Sequence, residues 1–222
     1  MQRKIKCNAR IKKEAIKIEK RGSIGIDESN HGRFPEIYVG VFSSLSFDAK
    51  RGYYNKKRTD ANIGDILNNH GRIYRHTIIT KEHKELYGAH GSKIIAVAEL
   101  IKAFNNIEDI NVDSIILDGE FRKIDRLNLE RILYPLDLPN FSAEPKADET
   151  FPIINKADAI ANILHRYYST NKDRNRYKKT RIEICFAWHN QSKSKPKSNI
   201  RHNRTERRSY SKEARTKINR SP

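Results

Sequence analysis

Hydrophobic and polar positions alternate in short runs early in the chain and change to helical spacing further along. Ile24-Gly25-Ile26 and Ile37-Tyr38-Val39-Gly40-Val41 flank the polar connector Ser29-Asn30-His31-Gly32-Arg33, which predicts a β-hairpin whose second strand runs on to Phe42. Over 73–79, Ile73, Arg75 and Thr77 alternate with Tyr74, His76 and Ile78, predicting another strand. Ile94, Ile95, Ala98, Leu100 and Ile101 then share one broad side of a helix over 91–104. Residues 112–117 predict a strand apolar enough at Ile115-Ile116-Leu117 for a sheet centre, and it ends at Asp118-Gly119. A later helix over 153–168 has Ile153, Ile154, Ala157, Ile160, Ala161 and Leu164 as packing positions.

Other stretches are less regular. Residues 3–20 are rich in helix formers, with Ile5, Ile11, Ala15 and Ile18 able to line one side. The segment 48–69 shows no clear period. Residues 127–133 read as a helix or an irregular excursion, interrupted by Pro135 and Pro139. Ile182, Ile184, Phe186 and Trp188 alternate as a last strand would, and a short amphipathic helix fits them too.

Charge divides the chain where the hydrophobic pattern does. Of the net +18, residues 1–21 carry +7 (nine Lys/Arg, two Asp/Glu) and residues 190–222 carry +9 (eleven and two), leaving +2 for 22–189. The expected organisation is a basic N-terminal extension over 1–21, one nearly neutral domain over 22–189, and a basic tail over 190–222 with little apolar material to order it. Such arms attract polyanions without choosing a sequence, nucleic acid foremost, with an anionic membrane or generic charge effects as the other readings. No apolar run approaches membrane-spanning length and no secretory signal pattern follows the basic start. Cys7 and Cys185 imply neither a disulfide framework nor a cysteine zinc site, so a cytoplasmic protein is expected; a monomer is the expected state.

Carboxylates sit where the strands end. Asp27 and Glu28 close the first strand, which is either an ordinary polar turn or a rigid pair of oxygen ligands for a hard divalent cation. Asp118-Gly119 pairs an acid with a residue that permits a tight exit or close approach of a substrate backbone. Asp148, just upstream of a helix, is a cap or a third site residue. Asp158 is an additional acidic site residue or a polar helix position, the second reading being preferred. His76, His83 and His90 are spaced too widely for a compact histidine metal motif and are expected to be structural or surface groups. Residues 50–58 mix basic and aromatic side chains, as phosphate contacts with base stacking would, and as a solvated loop also does.

Three blocks in order carry a resemblance. GIDESNHGR (Gly25, Asp27, Glu28, Gly32, Arg33), ILDG (116–119) and AEPKADETFPII (143–154) resemble the signature of ribonuclease HII, the last block especially its archaeal form, across residues 22–170. The resemblance implies an α/β, ribonuclease H-like fold with a central mixed β-sheet flanked by helices. It implies that Asp27, Glu28, Asp118 and Asp148 bind two divalent cations, Mg2+ or Mn2+, about 3.5–4 Å apart. The implied activity is hydrolysis of the RNA strand of an RNA/DNA hybrid, or of ribonucleotides embedded in duplex DNA, leaving 5′-phosphate and 3′-hydroxyl ends. Asn30, His31, Gly32, Arg33 and Lys146 would contact the substrate, Arg33 foremost because its guanidinium always carries charge.

The chain departs from that pattern in three places, one being the segment between the hairpin and the Asp118 strand, where Asp48-Ala49-Lys50 is only a partial echo of the family's early Asp-Ser-Lys. The family loop reads Gly-Arg-Gly one residue after the acidic pair, whereas Ser29-Asn30-His31 intervenes here before Gly32-Arg33. The helix after Asp148 lacks the small, Ser/Ala-rich segment followed by lysine. Two further readings therefore stay open: a ribonuclease H-like nuclease for another structured nucleic acid, and a nucleic-acid-binding protein on the same scaffold without efficient cleavage.

Overall fold

The structure is a computed structural model that describes residues 19–29, 34–52, 62–68, 71–170 and 175–184. By internal contacts the chain divides into two units, Met1–Ile184 and Cys185–Pro222, and every described residue belongs to the first. The predicted helix over 3–20 and the basic tail lie outside the described residues, save that Lys20 belongs to a strand.

Strands β1 (Lys20–Ser29), β2 (Glu36–Ser43) and β3 (Arg72–Ile79) form an antiparallel meander. Helix α1 (Ile63–Leu67) precedes β3, and α2 (Lys81–Asn105) follows it. β4 (Ile110–Asp118) then returns parallel to β1, which is why Lys20 is extended: it pairs with Ile110 instead of ending a helix. After α3 (Lys123–Leu133), β5 (Asn140–Glu144) joins parallel to β4; α4 (Ala147–Thr150) and α5 (Pro152–Thr170) follow. The two-residue β6 (Arg181–Ile182) pairs parallel with β3, giving the sheet order β5-β4-β1-β2-β3-β6. This is the α/β architecture expected, a mixed sheet flanked by helices.

Strand alternation sends each sheet face to a different helix layer. Ile24 and Ile26 of β1, Phe42 of β2, and Ile115 and Leu117 of β4 pack with Leu100, Ile101 and Phe104 of α2. Val39 and Val41 of β2 and Ile116 of β4 pack with Ile153, Ile154, Ala157 and Ile160 of α5. The α5 layer lies so close to β1 that a Cβ on Gly25 would fall 2.8 Å from an Ile153 methyl, so glycine there permits the helix to sit over the strand.

Three predicted elements are longer or different in the fold. The central helix begins ten residues before the expected start, at Lys81 instead of residue 91. Gly88, at φ +70 and ψ 172, is non-helical inside α2 and breaks the apolar period at that point. The excursion over 127–133 is part of a helix, and the alternation at Ile182 forms only the short β6, with Phe186 and Trp188 outside the described residues.

The three histidines go to separate structural tasks. His76 is fully buried, hydrogen-bonded to the Tyr168 hydroxyl at 2.8 Å, and burial together with the Arg181 charge pushes its pKa down to about 3. His83 closes the capping box at Thr80, accepting from the Thr80 backbone N–H at 3.0 Å. His90 is exposed, 4.0 Å from Asp125.

Candidate active site

Parallel pairing of β1 with β4 is what builds the site. Their last paired residues are Ile26 and Leu117, so the next residue of each strand is an aspartate, and Asp27 and Asp118 emerge side by side at the carboxyl ends. Both belong to the α5 face: Asp27 is opposite Val39 of that core, and Asp118 follows Ile116 on the same side of β4. Asp148 enters from α4, whose first residue is fixed to the strand by a hydrogen bond from the Ala147 N–H to Asp118 Oδ1, 2.6 Å. The Asn155 side-chain amide donates to the Asp148 carbonyl at 3.3 Å and ties this turn to α5.

The electrostatics are those of crowded acids. Asp27 is 3% exposed and Asp148 5% exposed. Burial, then the charge of Asp118, then that of Asp158 hold the Asp27 carboxyl well above the usual carboxylate range; Asp148 adds to this, and the 2.6 Å hydrogen bond from the Glu28 N–H opposes it. Asp158 has two readings, of which the sequence prefers a polar helix position to an additional site acid. Its charge bears on Asp27 more strongly than that of Asp148, so α5 contributes a fifth acid to this edge.

Glu28 stands apart from the other acids. As the residue after Asp27 it belongs to the opposite face, where its cross-strand partner is Tyr38, a member of the α2-side core. The Tyr38 hydroxyl donates to its carboxylate, and Lys93 of α2 lies 3.9 Å away. Burial and the Glu28 carboxylate together push the Tyr38 phenol far up, keeping it a proton donor. Neither Tyr38 nor Lys93 was singled out from the sequence. Hairpin register carried the signal for Tyr38, whereas Lys93 is delivered by packing of α2 and has no local signature.

Of the expected substrate contacts, Lys146 is described: it is exposed, with a left-handed backbone (φ 59, ψ 34) directly before α4. Asn30, His31, Gly32 and Arg33 lie outside the described residues, and Ser29, assigned to the connector, is the buried last residue of β1. Arg51 and Gly52 of the basic stretch reach β5 and α4, through an Arg51–Glu144 ion pair and Gly52 N–H to the Thr150 carbonyl (2.9 Å). Among the described residues, no three Asp, Glu, His or Cys side chains converge in a metal-coordination geometry. Asp27 and Asp118 each accept a backbone N–H, Glu28 faces Tyr38 and Lys93, and Asp158 accepts from the Asn162 side-chain amide at 2.8 Å.

No protein-family model and no curated protein sequence matches the chain. Solved structures do. RNase HII of Archaeoglobus fulgidus, solved as a complex with PCNA, is 19% identical, covering 65% of this chain and 73% of that one at a TM-score of 0.47. Bst-RNase HIII in complex with Mn2+ is 16% identical, covering 67% of this chain and 53% of that one at a TM-score of 0.44, so the chain spans about half of that protein's length. Ribonuclease H2 of Pyrococcus horikoshii OT3 is 19% identical, covering 65% and 72% at a TM-score of 0.41.

The strand order and directions, an antiparallel β1-β2-β3 meander with β4 and β5 added in parallel on the β1 side, are those of a mixed α/β sheet. No described helix is long and apolar enough to cross a membrane.

Proposed function

We propose that the chain is a metal-dependent endonuclease that hydrolyses the RNA strand of an RNA/DNA hybrid or a ribonucleotide embedded in duplex DNA. One observation carries the reading. The parallel β1–β4 pair ends in adjacent aspartates, on the sheet face to which α4 and α5 add Asp148 and Asp158. A buried edge of this kind is costly as bare negative charge, and burial with the neighbouring acids holds the Asp27 carboxyl well above the usual carboxylate range. A divalent cation removes the conflict.

The donor set suits that group: carboxylate oxygens alone, as hard cations such as Mg2+ and Mn2+ take. Asp27, Asp118, Asp148 and Glu28 would hold two such ions, which when bound supply Lewis-acid stabilisation of the phosphate and a more acidic water. Asp118 would orient α4 through the Ala147 N–H while offering its second oxygen to the site. Gly119, with no side chain at φ +88, would leave the strand exit open to a nucleic-acid backbone. Lys146 and Arg33 would contact phosphates, with Asn30, His31 and Gly32 completing the loop around the ribonucleotide. Products would carry 5′-phosphate and 3′-hydroxyl ends.

End-labelled RNA/DNA hybrid, duplex DNA with one ribonucleotide, double-stranded RNA and plain DNA, incubated with Mg2+, Mn2+ or chelator, test the reading. Cutting of the first two substrates with the stated ends is expected. Cutting confined to double-stranded RNA or DNA would move the assignment to a nuclease for another structured nucleic acid. Salt-sensitive binding of all substrates with no cutting would make the protein a binder.

A further inference from the structure

Lys93 has so far been a neighbour of Glu28 with no role in the proposed reaction, yet its ammonium stands at the strand ends. Its side chain is 17% exposed, and Nζ lies 3.9 Å from Glu28 Oε2. The same atom is 3.3 Å from the point a Cβ on Gly119 would occupy, so it also borders the turn that follows Asp118. One cation from α2 thus bridges the two strands whose ends carry the acids. At 3.9 Å it is a charge partner of Glu28 without a direct hydrogen bond, a contact an incoming ion could displace. Tyr38 holds Glu28 from the same side, so Glu28 begins on the α2 face while Asp27 and Asp118 lie on the α5 face.

We propose that Lys93 is a resident cation of the metal site: it holds Glu28 on the α2 face and competes with a divalent ion for that carboxylate. The inference rests on the four-carboxylate reading of the site. A lysine suits the task because its compact charge sits on a flexible stem that can withdraw along α2. It restrains one of the four ligands, and metal binding has to release that restraint. Lys93 is therefore a positioning residue, acting on the metal through Glu28.

Calorimetric titration of Mn2+ into the full chain and into K93M, K93Q, K93R, E28Q and the K93M/E28Q double variant tests this, with circular dichroism reporting the fold. Wild type should bind Mn2+, K93M and K93Q should bind about tenfold more tightly, and K93R should stay near wild type. In the E28Q background K93M should change affinity little, because the partner through which the lysine acts is gone. Unchanged or weaker binding by folded K93M and K93Q, or an equal gain with and without Glu28, overturns the role of Lys93 and leaves the metal site standing. Absence of Mn2+ binding in wild type and in all the lysine variants overturns the metal site and this inference with it.

Discussion

Asp27 concentrates the conflict that defines the sheet edge: a carboxylate 3% exposed, with Asp118, Asp158 and Asp148 acting on it. Its folded pKa lies above the ordinary carboxylate value, so between the two the folded chain holds a proton that the unfolded chain has lost. Metal-free stability must therefore fall as pH rises through that window. Asp27→Asn keeps an acceptor for the Glu28 N–H and removes the charge. Denaturant titration of the metal-free variant should show that slope flattened and stability at neutral pH raised by about 1–2 kcal/mol. Cleavage by the same variant should fall by roughly 10³-fold, the scale of losing a charge-stabilising group in a closed site. At Gly119 the backbone is the constraint. Gly119→Ala forces a side chain into φ +88 and against Lys93 Nζ, so thermal unfolding should show a loss of about 1–3 kcal/mol.

At the scale of elements, α5 is pinned to the meander by a buried charge cluster. Asp48 is fully buried and accepts from Arg72 Nε at 2.5 Å, Ser43 Oγ at 2.6 Å and Lys156 Nζ at 3.2 Å. Burial works to raise its pKa, but the Arg72 and Ser43 hydrogen bonds and the Lys156 charge prevail and leave it lowered. Asp48→Ala strands two cations and should cost about 3–5 kcal/mol in denaturant unfolding. β1 to β4 and α5 were legible because short apolar runs mark β1, β2 and β4, alternation marks β3, and a 3.6-residue spacing marks α5. β5 was not, since Asn140–Glu144 is a half-exposed edge strand just after Pro139 with no buried residue to mark it. The early half of α2 was hidden by the left-handed Gly88. Motif order, more than periodicity, led to Asp27, Asp118 and Asp148; the fold then joined them through β1–β4 pairing. Asp158 lies off the apolar stripe of α5, and only packing of that helix over β1 brings its charge to Asp27. Glu28 could have been anticipated on the other face, because neighbours along a strand point opposite ways.

For the whole molecule, charge distribution separates binding from chemistry. Residues 22–189 carry +2 while 190–222 carry +9, so a tail-less chain should retain its cleavage rate at saturating substrate and bind nucleic acid less tightly. The slope of log affinity against log salt should become shallower, measured by fluorescence anisotropy from 50 to 200 mM salt; an unchanged slope would remove the tail from the substrate contacts. The central claim remains the acid edge shared by β1 and β4. It is tested most directly by cleavage of duplex DNA containing one ribonucleotide, comparing wild type in Mn2+, wild type in chelator, and Asp118→Asn in Mn2+. The account predicts cutting at the ribonucleotide in the first reaction alone. Cutting in chelator, or undiminished cutting by Asp118→Asn, would contradict it.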